Sequence, residues 1–215
     1  MIKPRHPPEW LRPLVEAVET VDAADLSRFT PPIDGSGRHS AVLMLFASES
    51  GSVADADVLL LQRAATLRSH AGQVAFPGGA TDPEDASSSA TALREAEEEV
   101  GVKAATVDVL SELPALYLPP SGFVVTPVLG HWREPHDVGI VDPIEVAGVE
   151  RVRVADLVEP RNRFTVRHPS GFVGPGFAAS DLFVWGFTAG LLDRLLRLAG
   201  WERPWDRGHV RPLPD

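Results

Sequence analysis

The stretch Ala92-Leu-Arg-Glu-Ala-Glu-Glu-Glu-Val-Gly-Val102 decides how this chain folds. Its pattern predicts a helix from Asp85 to Glu99, and Gly101 stands where a helix end favours a left-handed residue. One face of this helix is apolar and is formed by Leu93, Ala96 and Val100. We therefore expect the helix to dock on a sheet and to turn its acidic face toward a cleft.

The acidic face is formed by Glu95, Glu98 and Glu99, which fall within about 100° of one another because each helical residue advances by about 100°. Arg94 lies one turn before Glu98 and is expected to pair with it. Three like charges on one face repel each other, and a divalent cation removes that cost. Carboxylate oxygens suit Mg²⁺ or Mn²⁺. Taken alone, an acidic cluster of this kind is more often a solvated helix face than a metal site.

A side-chain-free turn precedes the helix in Phe76-Pro77-Gly78-Gly79. Backbone without side chains lets a phosphate and a metal approach closely. A Gly-Gly pair is weak evidence by itself. The pair followed at this distance by Arg-Glu-x-x-Glu-Glu-x-Gly is far more specific.

These two motifs together resemble the Nudix hydrolase family. The second half of the family's pattern is matched from Arg94 to Val102, with Ala96 in an aliphatic position. The first half departs, because Gly79 and Asp85 fit only when the second spacer has one extra residue, which leaves the role of Asp85 open. The resemblance implies an α/β fold, a Nudix-type α/β/α sandwich with a mixed sheet.

The segment that departs is itself similar to the coenzyme A pyrophosphatase branch of the family. The Gly-Gly-x-x-Asp-Pro-x-Asp box of that branch is matched by Gly78 to Asp85. That branch also carries an upstream pattern, which matches this chain at Leu59, Leu60, Arg63, Arg68, Gly72, Phe76, Pro77, Gly78 and Gly79. Leu61 and Ala64 depart from it. The implied activity is Mg²⁺-dependent (or Mn²⁺-dependent) hydrolysis of coenzyme A or its derivatives to 3′,5′-ADP and (acyl-)phosphopantetheine.

The resemblance also implies roles for individual residues. Glu95 and Glu99 are the candidate metal ligands, and Glu98 is a third ligand or the water-activating base. Glu145 is the candidate base outside the helix, with a surface acid at a strand start as the alternative. The candidate substrate contacts are Arg63, Arg68, His70, Gly78 and Gly79. Arg63 has the alternative of a structural pairing with Glu95 or Glu98.

Two other functions remain open at this point. One is a Nudix diphosphatase that acts on another nucleoside diphosphate derivative, such as NADH or ADP-ribose. The other is a catalytically silent Nudix-fold binding module. The upstream arginine pattern favours coenzyme A, and three retained repelling carboxylates argue against a silent module.

The partner that the resemblance implies is a small-molecule nucleotide, and composition is compatible with it. A formal charge of -10 and the lack of a long basic stretch argue against a nucleic acid polymer. No cysteine is present, so thiolate chemistry and disulfides are excluded. No apolar run approaches the ~20 residues that span a bilayer, and no signal peptide is recognisable, so we expect a cytoplasmic protein without membrane contact. A homodimer is an expectation by family analogy only.

The chain is predicted to have three parts. Residues 1–36 form a helical N-terminal extension, residues 37–200 the hydrolase domain and residues 201–215 an irregular tail. Within the domain, buried strands are predicted at Ala41–Phe46 and Asp57–Gln62. The strongest predicted helix runs from Leu182 to Leu198.

Overall fold

The computed structural model describes residues 7–27, 29–67, 69–119, 121–169 and 171–213. The helices in these ranges are α1 (Arg12–Val18), α2 (Ala23–Leu26), α3 (Ser88–Val100), α4 (Val154–Val158) and α5 (Gly186–Leu198). The strands are β1 (Arg38–Ala47), β2 (Asp57–Arg63), β3 (Val74–Ala75), β4 (Gly78–Ala80), β5 (Val107–Glu112), β6 (Leu116–Leu118), β7 (Phe123–Trp132), β8 (Val146–Arg153), β9 (Arg163–Arg167), β10 (Val173–Ala179), β11 (Leu182–Val184) and β12 (Val210–Arg211). The predicted strands at Ala41–Phe46 and Asp57–Gln62 are confirmed as parts of β1 and β2.

The main sheet is mixed and is built around β1. Its strand order is β3-β2-β1-β7-β5, with β4 beside β1, β6 beside β7 and β8 beside β2. The pairing of β1 with β7 is parallel from Arg38↔Phe123 to Phe46↔His131. The pairing of β1 with β2 is antiparallel.

Both faces of β1 are covered, because successive side chains of a strand point to opposite sides. Leu43 and Leu45 belong to a buried cluster that contains the inner face of α3. Met44 and Phe46 belong to a second cluster that contains residues of α1 and α5. The sheet is therefore packed between helices, and the predicted α/β/α sandwich is confirmed.

The segment 74–80 fills a gap between β1 and β2. These two strands pair only at Phe46↔Val58 and Ala47↔Asp57. Beyond that point β3 pairs with β2, whereas β4 pairs with β1. This insertion carries the glycine turn into the sheet, directly under α3.

Two predicted helix starts are wrong. The helix predicted from Asp85 begins at Ser88, because Ser87 is the N-cap and its hydroxyl accepts a hydrogen bond from the backbone N–H of Ala90. The helix predicted from Leu182 begins at Gly186, after the strand β11 has paired with β10. Gly186 has a φ of 68°, which separates strand from helix.

The N-terminal helices pack on the same core as the rest of the chain. Trp10 and Leu14 share a buried cluster with Leu192 of α5, and Trp201 packs against it. A smaller sheet, in the order β11-β10-β9-β12, completes the described chain. No helix in the described ranges is both long and apolar enough to cross a bilayer. The three-part division of the chain stays a prediction.

Candidate active site

The first and last turns of helix α3 are each defined by a residue at the helix end. Ser87 caps its start, and Gly101 ends it with a φ of 79°, as predicted. The side chains that face the sheet are Ala92, Ala96 and Val100, which are fully buried. Small residues at the first two positions let the helix lie close to β1, so its acidic face meets the glycine turn.

The three glutamates of α3 differ in burial. The side chain of Glu99 is 5% exposed and that of Glu95 is 17% exposed. The side chain of Glu98 is 60% exposed and lies at the rim. Two carboxylates therefore line the interior of the site, and the third faces solvent beside them.

The glycine turn contacts the two interior carboxylates directly. The backbone N–H of Gly78 donates a hydrogen bond of 2.9 Å to Oε2 of Glu99. A Cβ atom at Gly79 would lie 2.5 Å from the carboxylate carbon of Glu95. At Gly78 a Cβ atom would lie 2.3 Å from the carbonyl oxygen of Ala41. A side chain at Gly78 would therefore displace the backbone of β1, whereas a side chain at Gly79 would displace the carboxylate end of Glu95.

Arg94 organises the solvent side of the site. Its Nη1 lies 3.0 Å from Oε1 of Glu95 and 2.9 Å from Oε2 of Glu98, so the predicted pairing with Glu98 is confirmed. Its Nε and Nη2 donate to the two carboxylate oxygens of Asp85, at 3.1 and 2.9 Å. Nη2 also donates to the carbonyl oxygen of Ala80. One guanidinium thereby orients two carboxylates of the helix.

The role of Asp85, which the sequence leaves open, is visible in these contacts. Asp85 grips Arg94 in a bidentate pair, and it also accepts a hydrogen bond of 2.9 Å from the hydroxyl of Thr91. The hydrogen bonds from Arg94 hold the pKa of Asp85 well below its usual range. Asp85 also raises the pKa of the Arg94 guanidinium. Asp85 is thus a support for the arginine that positions Glu95 and Glu98.

Arg63 lies on the opposite side of the buried carboxylates, at the end of β2. Its Nη1 is 3.9 Å from Oε1 of Glu99, and its Nη2 is 3.7 Å from Oε2 of Glu145. The pairing with Glu95 or Glu98 that the sequence allows is not formed, because the end of β2 meets the last turn of α3. Arg63 therefore connects the helix with the candidate base outside it.

The loop that carries Glu145 is attached to the C-terminal end of α3. The N–H of Val141 donates to the carbonyl oxygen of Glu99, and the N–H of Gly139 donates to that of Val100. The carbonyl oxygen of Glu145 accepts a hydrogen bond of 2.8 Å from the N–H of Ala64. Orphan carbonyls at a helix end favour such docking, although nothing in the sequence shows which loop supplies it. The Glu145 side chain is 47% exposed and can contact a ligand.

Burial dominates the electrostatics of the interior. It raises the pKa of Glu99 to about 8, against the opposing effects of the Gly78 hydrogen bond and the Arg63 charge. It also raises the pKa of Glu95, which the charge of Arg94 opposes. A carboxylate that is costly to ionise is stabilised in its charged form by a nearby cation. The interior is therefore suited to receive positive charge.

The two remaining candidate contacts have different outcomes. Arg68 lies outside the described residues. His70 is exposed in the loop before β3, with a φ of 56°, and its Nδ1 lies 3.0 Å from the side-chain oxygen of Gln73. The role of either residue in binding stays a prediction.

The residues of the site fit a hard divalent cation by their chemistry. Their donors are carboxylate oxygens, and the missing side chain at Gly79 leaves the carboxylate of Glu95 accessible from the turn. No three acidic or histidine side chains in the described ranges form a preassembled metal-binding group. Instead, Arg94 and Arg63 lie against these carboxylates. A surface cavity of about 520 Å³ between α1, α2 and α5 is lined by none of the candidate residues that the structure describes.

Comparison with known proteins identifies the class. A model of the NUDIX domain matches residues 37–172, more than half of the chain. The chain belongs to the Nudix domain family and is a Nudix hydrolase, an enzyme that acts on a phosphoanhydride bond of a nucleoside diphosphate derivative. The predicted family is confirmed.

Two relatives and one solved structure are similar to this chain. The Nudix hydrolase NudL of Photorhabdus laumondii, described as uncharacterized, is 44% identical over 192 residues, which cover 85% of this chain and 97% of the relative. NudL of Cronobacter sakazakii, also described as uncharacterized, is 41% identical over 162 residues, or 68% of this chain and 77% of the relative. The crystal structure of the Nudix hydrolase RenU from M. smegmatis superposes with a TM-score of 0.51 at 24% identity. It covers 76% of this chain and 88% of that one, and it supports the fold.

Proposed function

We propose that this chain hydrolyses the diphosphate bond of coenzyme A or its derivatives and releases 3′,5′-ADP and (acyl-)phosphopantetheine. The observation that carries the proposal is the position of Arg63, which is 3.9 Å from Glu99. Arg63 belongs to the upstream pattern of the coenzyme A branch, and its guanidinium lies beside the acidic face of α3. A guanidinium can grip two phosphate oxygens at once.

The upstream pattern has a consistent structural explanation. Leu59 and Leu60 are buried strand residues of β2, and Phe76 is buried in the core. These residues fix the strand end that presents Arg63 and the turn that presents Gly78 and Gly79. The pattern thus describes one wall of the site, opposite to α3.

In this proposal Glu95 and Glu99 hold Mg²⁺ or Mn²⁺, with Glu98 as a third ligand or as the base. When bound, the metal neutralises charge on the diphosphate and lowers the pKa of a coordinated water. Arg94 orients Glu95 and Glu98, and Asp85 fixes Arg94. Arg63 donates to phosphate oxygens of the substrate. Positioning and electrostatics carry most of the rate enhancement.

Glu98 and Glu145 are both candidates for the group that takes the proton from water. Both have exposed side chains, at 60% and 47%. Replacing the true base with glutamine should lower kcat by about 10²–10⁴-fold and leave Mn²⁺ affinity unchanged. A loss of Mn²⁺ affinity in Glu98→Gln would instead make Glu98 a ligand.

The substrate is tested with purified protein, Mg²⁺ and a panel of coenzyme A, NADH, ADP-ribose and dNTPs, with products identified by mass. We expect coenzyme A to give the highest kcat/KM and to yield 3′,5′-ADP. Equal turnover of the panel, or preference for NADH or ADP-ribose, contradicts the coenzyme A assignment. Absence of turnover together with nucleotide binding would indicate a silent binding module.

A matched pair of variants tests the metal site. Glu99→Gln removes the buried carboxylate, whereas Glu97→Gln makes the same change at an exposed position of the same helix. Metal-dependent turnover should disappear in the first variant and persist in the second. Full activity in Glu99→Gln would contradict the ligand assignment.

A further inference from the structure

The guanidinium of Arg63 lies between two carboxylates without a hydrogen bond to either. The distances to Glu99 and Glu145 are 3.9 and 3.7 Å. Its Nε is buried and has no hydrogen-bond partner within the described chain. A guanidinium carries five N–H donors, and buried donors are normally satisfied. The described chain therefore leaves N–H donors of the Arg63 guanidinium without an acceptor.

The backbone, rather than these ion pairs, holds Arg63 in place. Its N–H donates 2.9 Å to the carbonyl oxygen of Gln73, and the next N–H, of Ala64, donates 2.8 Å to that of Glu145. The pairing with β8 shifts register between Gln62 and Arg63. The strand end is thus fixed on both sides, whereas the guanidinium remains available to another acceptor.

The charges around Arg63 explain why it lies there. Glu99 is 5% exposed, and its carboxylate contacts one backbone N–H, that of Gly78. The Arg63 guanidinium supplies positive charge to this buried carboxylate and to Glu145. A divalent cation on Glu99 supplies more positive charge and repels the guanidinium. The same carboxylate therefore has two competing cationic partners.

We propose that Arg63 exchanges partners during the reaction cycle. Without metal it balances Glu99 and Glu145, and with metal its terminal Nη N–H groups donate to the substrate diphosphate. Arg63 then opposes metal binding in the free enzyme and favours substrate binding in the metal-loaded enzyme. The inference rests on the proposed metal site, but not on the identity of the substrate.

The first test measures Mn²⁺ affinity without nucleotide, by electron paramagnetic resonance, in the wild type and in Arg63→Gln. We expect Arg63→Gln to bind Mn²⁺ about tenfold more tightly, because one repelling charge near the ion is removed. Arg161→Gln is the control, since Arg161 is 83% exposed and pairs with Glu159. A merely structural role for Arg63 predicts weaker Mn²⁺ binding in the variant.

The second test measures the affinity of Mn²⁺-loaded protein for inorganic pyrophosphate by calorimetry. Arg63→Gln should bind pyrophosphate at least about tenfold more weakly, which is the opposite sign to its Mn²⁺ effect. Arg63→Lys keeps the charge but loses the planar fork, so its Mn²⁺ affinity should stay within about twofold while pyrophosphate binding weakens. This variant tests the exchange even where the glutamine variant does not fold.

Two outcomes overturn the exchange: unchanged or weaker Mn²⁺ binding in Arg63→Gln, or unchanged pyrophosphate binding in both variants. Failure of the coenzyme A assignment gives a different result. Opposite shifts of Mn²⁺ and pyrophosphate affinity without turnover of coenzyme A would support the exchange and reject only the substrate.

Discussion

Alanine substitutions at Gly78 and Gly79 should separate the stability of the fold from the function of the site. At Gly79 the new Cβ would lie 2.5 Å from the carboxylate carbon of Glu95, the flexible end of a side chain. At Gly78 it would lie 2.3 Å from the carbonyl oxygen of Ala41 and 2.7 Å from Cα of Val42. Both of these atoms belong to the backbone of the central strand β1, which cannot move alone.

The magnitudes follow from what must move. In Gly79→Ala the carboxylate of Glu95 must shift by about 1 Å to reach ordinary contact, and a misplacement of about 1 Å can cost roughly 10²-fold in rate. The free energy of unfolding should fall by less than about 1 kcal/mol, because a side-chain end can rotate away. In Gly78→Ala the strand must shift, and overpacking of this kind costs about 1–3 kcal/mol.

The assay combines thermal unfolding with metal-dependent turnover of the substrate found in the panel. In a domain of this size about 1 kcal/mol changes Tm by roughly 2–4 °C. Gly190→Ala in α5 is the control, because its Cβ would meet no atom within 4 Å. Full activity in Gly79→Ala, or an equal loss of Tm in both turn variants, would refute the proposed contact between the turn and Glu95.

Four further changes have expected outcomes. Asp85→Asn should lower kcat. It should also make the free energy of unfolding in urea less dependent on pH in acid, because the pKa of Asp85 is lower in the folded state than in the unfolded state. The stability that this difference contributes is present above the unfolded-state pKa and is lost as the pH falls through the folded-state pKa. His131→Gln should make the free energy of unfolding less dependent on pH just below pH ~6.5. Burial lowers the pKa of His131, so on acidification the unfolded chain binds this proton before the folded chain does. Mn²⁺ affinity measured by calorimetry should rise with pH toward about 8, because Glu99 must lose its proton to bind metal. Arg163→Ala should cost about 3–5 kcal/mol in urea unfolding, since it leaves the buried carboxylate of Asp193 unpaired.

The sequence predicts the acidic helix well because both of its determinants are local. A period of 3.6 residues places Glu95, Glu98 and Glu99 on one side, and the contact between Arg94 and Glu98 depends only on a spacing of four. Gly101 marks the helix end for an equally local reason. The fold class could be predicted because these local features are part of the family's sequence pattern.

The contacts that cross between elements are not predictable in this way. The pairing of Asp85 with Arg94 depends on how the loop before α3 folds back, so the helix start and the role of Asp85 are both missed. Arg63 meets Glu99 because of the angle at which α3 crosses the end of β2. The sequence of β11 resembles a helix start, since its apolar residues Leu182 and Phe183 precede the apolar face of α5. Their strand conformation depends on pairing with a partner strand.

The balance of charge in the site argues for a metal-binding function over a silent module. Six carboxylates, those of Asp82, Asp85, Glu95, Glu98, Glu99 and Glu145, lie within ion-pair distance of two arginines. Two guanidiniums leave the cluster short of positive charge, and burial makes the shortage costly enough to raise the pKa of Glu99 to about 8. A proton relieves one carboxylate at a time, whereas a divalent cation can relieve several together. A module without metal chemistry would be more stable with an uncharged residue in place of Glu99, so Glu99→Gln should raise the free energy of unfolding in metal-free buffer while it abolishes turnover.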